Sequence, residues 1–362
     1  MPTLFMGNLD ASSFRSIDPE DMLGAILGLP EQVDDAKRLA LGVSFDALAG
    51  RTFSSLVIAG MGGSAIGGDF LRAGYEATLR LPVTVVRDYH LPGYVDSGTL
   101  VFAASNSGKT EETLSCYDLA KKAKAGIVAF TTGGRLAELA LADGVTLVSF
   151  PGGLQPRAAL GYSFVPLIVA SARLGLLPEV LLDDIDEASA VLRAVRNECN
   201  PEVGSANNPA KALAQSYLGK IPVIYGSQGE RGVVAYRWKT QINENAKAYA
   251  VANVFPELNH NETVGWSGSH GQGDPERALV VTMLRDDREP SQIRKRVELT
   301  KQIISRRNIT MSDVWARGES VLSRMLSLVY VGDFASYYLA IAYGEDPTPV
   351  RVIDWLKSEL AK

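Results

Sequence analysis

Cysteine and histidine are scarce in this chain, and each scarcity closes off a class of chemistry. Among 362 residues there are two cysteines, Cys116 and Cys199, and three histidines, His90, His260 and His270. Two isolated thiols exclude a disulfide framework and fit a reducing compartment. No His or Cys pair has metal-ligand spacing, so neither a structural nor a catalytic metal is expected. No basic block stands out and the net charge is −5, which argues against nucleic acid as the main partner. Long apolar runs are lacking as well. The longest apolar segment, 164–177, carries Pro166 and Arg173 and is too short to span a bilayer. Residues 1–13 have neither a basic start nor a long apolar stretch, so no signal peptide is expected. These absences predict a cytoplasmic protein with no membrane partner.

What is present is ordinary globular material, 46% apolar and 21% charged, in a chain longer than one core comfortably supports. Two domains are expected, 1–185 and 195–362, with the boundary near 180–200. In the first half, apolar runs at 56–59, 83–86, 100–104, 127–130 and 145–148 alternate with helical patterns. Such alternation predicts an α/β fold with a doubly wound, flavodoxin-like parallel sheet. The second half repeats the alternation more loosely: strands at 221–226 and 279–283, a helix through Trp238, a basic helix at 292–307 and an apolar helix at 321–343. A duplicated α/β unit is expected. Ligands of such sheets bind beyond the carboxyl ends of the strands.

Two turns fall on that edge. Ser105-Asn106-Ser107-Gly108-Lys109-Thr110 follows an apolar strand and feeds a helix N-terminus, where free N–H groups and the helix dipole make an anion site. Ser105, Ser107 and Thr110 supply hydroxyls, and Gly108 lets the backbone approach a ligand. The plainer alternative is a helix cap made by Ser107 or Thr110. The other turn, Gly60-Met61-Gly62-Gly63-Ser64-Ala65, satisfies the permissive dinucleotide fingerprint. Asp88 lies beyond the expected spacing for a ribose contact, and Ser64 sits inside the turn, so a small phosphorylated ligand suits it better than NAD. Arg157, after the fifth strand, can clamp a phosphate or an oxyanion, or simply pair a carboxylate. In the second half, the polar run 239–247 and the segment 255–262 bring Glu244 and His260 into view. Asn259, Asn261 and Glu262 are candidate partners to fix the tautomer of His260.

Taken together these segments resemble the bifunctional phosphoglucose/phosphomannose isomerase family, built from two sugar-isomerase (SIS) domains. The likeness rests on 60–69, on Ser105-Asn106-Ser107-Gly108 with Thr110, Glu112 and Thr113, and on Gln155-Pro156-Arg157. It continues through Asn243-Glu244-Asn245-Ala246-Lys247, through Phe255-Pro256-Glu257 with Asn259-His260-Asn261-Glu262, and into 346–357. The resemblance implies that Gly63, Ser64, Ser105, Ser107 and Thr110 bind the phosphate of a sugar. It implies that Arg157 lies against the reacting carbons, Glu244 is the catalytic base, His260 serves ring opening and Lys357 closes the site. No cofactor is implied. A homodimer is, with the histidine supplied from the neighbouring subunit. A catalytically silent SIS module that senses a phosphosugar, and an isomerase of another phosphosugar, share the same phosphate loop. Glu244 and His260 together favour catalysis.

Overall fold

The computed structural model describes Leu9, residues 14–268 and 275–360, and Lys362; His270 falls outside them. The chain opens with two short helices, α1 (Phe14–Ile17) and α2 (Met22–Leu27), followed by α3 (Leu29–Leu41). Strand and helix then alternate through β1 (Ser55–Ala59), α4 (Gly62–Tyr75), β2 (Val83–Val86), β3 (Thr99–Ala104) and α5 (Glu111–Lys122). They continue through β4 (Gly126–Thr131), α6 (Gly134–Ala142), β5 (Thr146–Ser149) and α7 (Leu160–Arg173). The five strands make one parallel sheet in the order β2-β1-β3-β4-β5, with Ala59 opposite Val86 on one side and Ala103 on the other. This is the flavodoxin-like order. Every residue of β1, β3 and β4 is buried, because crossover helices cover both faces of a parallel sheet. Burying each Val, Leu or Ile of such a strand stabilises the fold by about 1.5–3 kcal/mol. Glu111 and Glu112 open α5 and Lys121 and Lys122 close it, each pair complementing the helix dipole.

Helix α8 (Asp183–Cys199) leads to α9 (Pro209–Tyr217), β6 (Ile221–Ser227), α10 (Glu230–Ala246), β7 (Val251–Phe255) and α11 (Glu262–Gly265). After these come β8 (Leu279–Arg285), α12 (Ser291–Ser305), β9 (Met311–Trp315), α13 (Val321–Tyr343) and α14 (Arg351–Leu360). The second sheet is also parallel, in the order β7-β6-β8-β9. It is the first order with one strand fewer.

Three features depart from the sequence reading. β7 and β9 were not expected. The helix expected through Trp238 runs on to Ala246 and takes in most of the polar run 239–247. The longest apolar segment is α13, not 164–177: by length and composition α13 could cross a membrane, yet its apolar window is entirely buried inside the protein. A helix hydrophobic all round belongs to a core.

The chain divides into two compact units. One comprises Gly28–Leu192 with Gly318–Ser323; the other holds the described residues up to Leu27, Arg193–Arg317 and Arg324–Lys362. Residues 14–27 thus group with the C-terminal sheet and not with 28–185. The reason is packing: the Phe14 ring meets Tyr337 edge-on at 6.0 Å, and Tyr330 donates its hydroxyl hydrogen to the Ile26 carbonyl at 2.9 Å.

Candidate active site

Strands β1 and β3 are neighbours, while the chain after β1 crosses first to β2. Their carboxyl ends therefore flank the switch point of the first sheet, and both Gly/Ser-rich turns leave from it. The turns are tied together: the Asn106 N–H donates to Ser64 Oγ at 3.1 Å. The Ser105 and Thr110 hydroxyls share a hydrogen bond of 2.8 Å, and the Lys109 N–H donates to Ser107 Oγ at 3.2 Å. Thr110 does occupy the N-cap position of α5, but its side chain makes no capping hydrogen bond. The capping alternative therefore does not account for the hydroxyls. Gly108, at φ +63°, lies so close to Gly133 that a Cβ would meet that carbonyl oxygen at 1.8 Å. Only glycine keeps this turn folded.

Arg157 sits in a short 3₁₀ turn (Pro156–Ala158) and is 4% exposed. That turn lies against the start of α4: a Cβ on Gly63 would come within 2.7 Å of the Pro156 carbonyl oxygen. The structure therefore assembles Gly63, Ser64, Ser105, Ser107, Thr110 and the Arg157 turn along one edge of the first sheet. Ser64 and Ser105 are buried, Thr110 is half-buried and Ser107 is exposed.

Glu244 lies in the last turn of α10, half-buried. It lines an open cavity of about 600 Å³ with Asn243, Lys247, Tyr249, Asp346 and Arg351 among its neighbours. Its helix is held by polar contacts that hydrophobic periodicity does not reveal. Arg237 and Gln241 donate to the two oxygens of Asp333 on α13, both at 2.8 Å, and Asn245 donates to Ser336 Oγ at 2.9 Å. Burial pushes the Asp333 carboxyl up, and Arg237 and Gln241 offset part of that rise. Lys247, left-handed at φ 51°, ends the helix, and its ammonium bonds the Asp346 carbonyl. Tyr249 and Arg351 were not anticipated from sequence. The cue was confined to the 346–357 segment, whose first residues fold back to Glu244.

His260 closes a 3₁₀ turn (Glu257–His260) and is exposed. The partners expected to fix its ring are engaged elsewhere. Asn259 donates to Thr263 and Thr300, at 3.1 and 2.9 Å, tying the turn to α12. Asn261 accepts from the Glu262 N–H at the start of α11, and Glu262 takes hydrogen bonds from Tyr225 and Asn253. Burial, reinforced by Glu262, drives the Tyr225 hydroxyl well above its ordinary pKa. Lys357 is exposed on α14, beyond the Arg351–Ile353 stretch that lines the Glu244 cavity, and is not itself a lining residue.

The thiols offer no nucleophile. Burial raises Cys116 to about 11 and Cys199 to about 12, leaving both protonated near neutrality. Among the described residues no cluster of three His, Cys, Asp or Glu side chains could hold a metal ion.

Comparison with known proteins agrees with this architecture. Residues 206–360 match the family described as the bacterial phospho-glucose isomerase C-terminal SIS domain. The chain is 46% identical over 342 residues to a bifunctional phosphoglucose/phosphomannose isomerase of Caldicellulosiruptor bescii, covering 94% of this chain and 99% of that one. It is 39% identical over 331 residues to the protein so named in Thermoplasma acidophilum, covering 91% and 97%. Among solved structures, the C-terminal domain of glucosamine-fructose-6-phosphate aminotransferase from Francisella tularensis superposes with a TM-score of 0.69 at 16% identity, over 90% of this chain and 97% of that one. At that identity the likeness speaks for the fold alone.

Proposed function

Since the chain belongs to the bifunctional phosphoglucose/phosphomannose isomerase family and is an aldose–ketose phosphosugar isomerase, we propose how its residues divide the work on glucose, mannose and fructose 6-phosphates. The phosphate is held by Ser64, Ser105, Ser107 and Thr110, with Gly63 permitting close approach. The observation that carries this reading is the switch-point turn itself. Its buried and half-buried hydroxyls hydrogen-bond one another across an uncapped helix start, an arrangement suited to an oxyanion. These contacts do no chemistry; they hold C1 and C2 beside the base.

Isomerisation moves one proton between C2 and C1 through a cis-enediolate. Glu244 abstracts it from one carbon and returns it to the other. Its half-buried place on a cavity supports that role, since a carboxylate there is reachable yet held by its helix. Negative charge grows on O1 and O2, and a fixed guanidinium at Arg157 stabilises it without reorganisation. Ring opening requires a proton on the ring oxygen and loss of the O1 proton, the task of His260 and Lys357. C2 becomes planar in the enediolate, so both aldose phosphates reach one intermediate. We take the working enzyme to be a cytoplasmic homodimer in which His260 serves the neighbouring subunit. The exposure of its turn supports that assignment.

The test is incubation of the purified, folded protein with glucose 6-phosphate and with mannose 6-phosphate, assaying fructose 6-phosphate. Turnover on at least one is expected. A folded protein inert on both overturns the reading.

A further inference from the structure

The second sheet has a switch point of its own, between β6 and β8, and none of the roles assigned above uses it. In doubly wound sheets that crevice is where anionic ligands settle, beside a helix N-terminus. Here a carboxylate of the chain already lies in it. Asp286 is the first residue after β8 and is 4% exposed. Arg231, in the first turn of α10, donates from Nη1 to Asp286 Oδ2 at 2.9 Å, and from Nε to Ser227 Oγ at the end of β6 at 2.7 Å. Arg324, in the first turn of α13, donates from Nε to the same carboxylate oxygen at 3.0 Å, and its Nη2 meets the other oxygen. The Arg288 N–H donates to Asp286 Oδ1 at 2.7 Å. Arg231 and Arg324 are 7% and 6% exposed. Glu230 and Asp287 contact them from the rim, with side chains 25% and 75% exposed. Two buried cations and a backbone amide thus converge on one buried carboxylate.

We propose that this crevice is an oxyanion site whose ligand is the Asp286 carboxylate. Each chain then presents one switch point to an external phosphate, and removing the carboxylate opens a second. The donors fit that assignment. Guanidinium forks match the oxygens of carboxylate and phosphate alike, and two buried cations left facing each other demand a replacement anion. A structural ion pair alone would answer to any salt through screening. An oxyanion site answers to phosphate in preference to chloride.

Thermal unfolding of the full chain tests this, comparing wild type with Asp286→Ala in phosphate and in chloride at matched ionic strength and pH. Wild type sets the baseline, because the first-sheet turn can itself bind phosphate. The variant should be less stable in chloride, and phosphate should raise its midpoint by about 5 °C more than it raises that of wild type. Asp286→Ser removes the charge, leaves room for an oxyanion and keeps a small hydroxyl in the crevice. It should show the same phosphate-specific gain, and it carries the test if the alanine variant does not fold in chloride. Equal phosphate shifts in wild type and in whichever variant folds overturn the proposal. The readout is independent of turnover, so a protein inert on every aldose phosphate would leave this inference standing.

Discussion

The two sheets share a strand order and differ at their switch points, and the difference lies in a handful of side chains. At the first, β1 and β3 release turns of glycine, serine and threonine whose polar groups are small, neutral and close to a helix start. At the second, β6 and β8 release Arg231 and Asp286, long charged groups that neutralise each other in a buried pair. One crevice is lined by small hydroxyls and the other is filled by an ion pair. Topology supplies the location in both cases; the residues at the strand ends decide whether it is open. In the C-terminal unit Glu244 sits toward the far end of α10, about three and a half turns from Arg231 along the helix.

If binding resides in the first sheet and proton transfer in the second, substitutions should separate KM from kcat. Glu244→Gln gives the largest effect: kcat should fall by about 10²–10⁴-fold, while sugar phosphate still raises the unfolding midpoint. Turnover within tenfold of the parent would remove Glu244 from its role. Thr110→Val comes next. It deletes the hydroxyl bonded to Ser105, and KM for either aldose phosphate should rise by about 10–100-fold, the worth of one hydrogen bond to a charged group, with kcat little changed. A fall in kcat at constant KM would break the division of labour.

The smallest effect sharpens the boundary between the units. Glu187 accepts hydrogen bonds from the Glu319 and Ser320 N–H groups and from Ser323 Oγ, at 2.6, 3.0 and 3.0 Å. Burial works to raise its carboxyl, but these bonds together hold it below its ordinary value near 4.5. A carboxyl depressed in the folded state adds stability above its unfolded pKa and loses it as the pH falls through the folded value. Glu187→Gln should therefore lower the unfolding midpoint more at pH 7 than near pH 3. An equal deficit at both pH values would show that the charge contributes nothing.

How much of this was legible in the sequence follows from what holds each element. The helix Val321–Tyr343 coincides with its apolar run, because burial on all sides leaves an unbroken signal; the strand Val83–Val86 coincides with its run as well, although it is an edge strand with three of its four residues half-buried. β7 and β9 are edge strands, half-buried along most of their length and interrupted by Asn253, Ser312 and Asp313, so neither shows a clean run or a clean alternation. The end of α10 was hidden for a different reason. Its buried face carries Arg237, Gln241 and Asn245, satisfied by Asp333 and Ser336 across the contact with α13. A polar face of that kind reads as loop in any scheme that looks for grease. The hydroxyl-rich turn Ser105–Thr110 was legible as a turn because its constituents are local. The partnering of Asn259, Asn261 and Glu262 was not, since Thr300, Tyr225 and Asn253, which three of their bonds join, come from other parts of the chain.

The ring of Phe14 against Tyr337, and the Tyr330 bond to Ile26, join the beginning of the chain to nearly its end. During synthesis the segment around Phe14 leaves the ribosome some three hundred residues before its partners exist. The unit spanning Gly28–Leu192 has most of its sheet and helices in hand long before then. The other must wait until translation is nearly finished, with its long apolar helix α13 emerging just before α14. A polypeptide truncated before Tyr330 would leave the Phe14 ring and the Ile26 carbonyl without these partners.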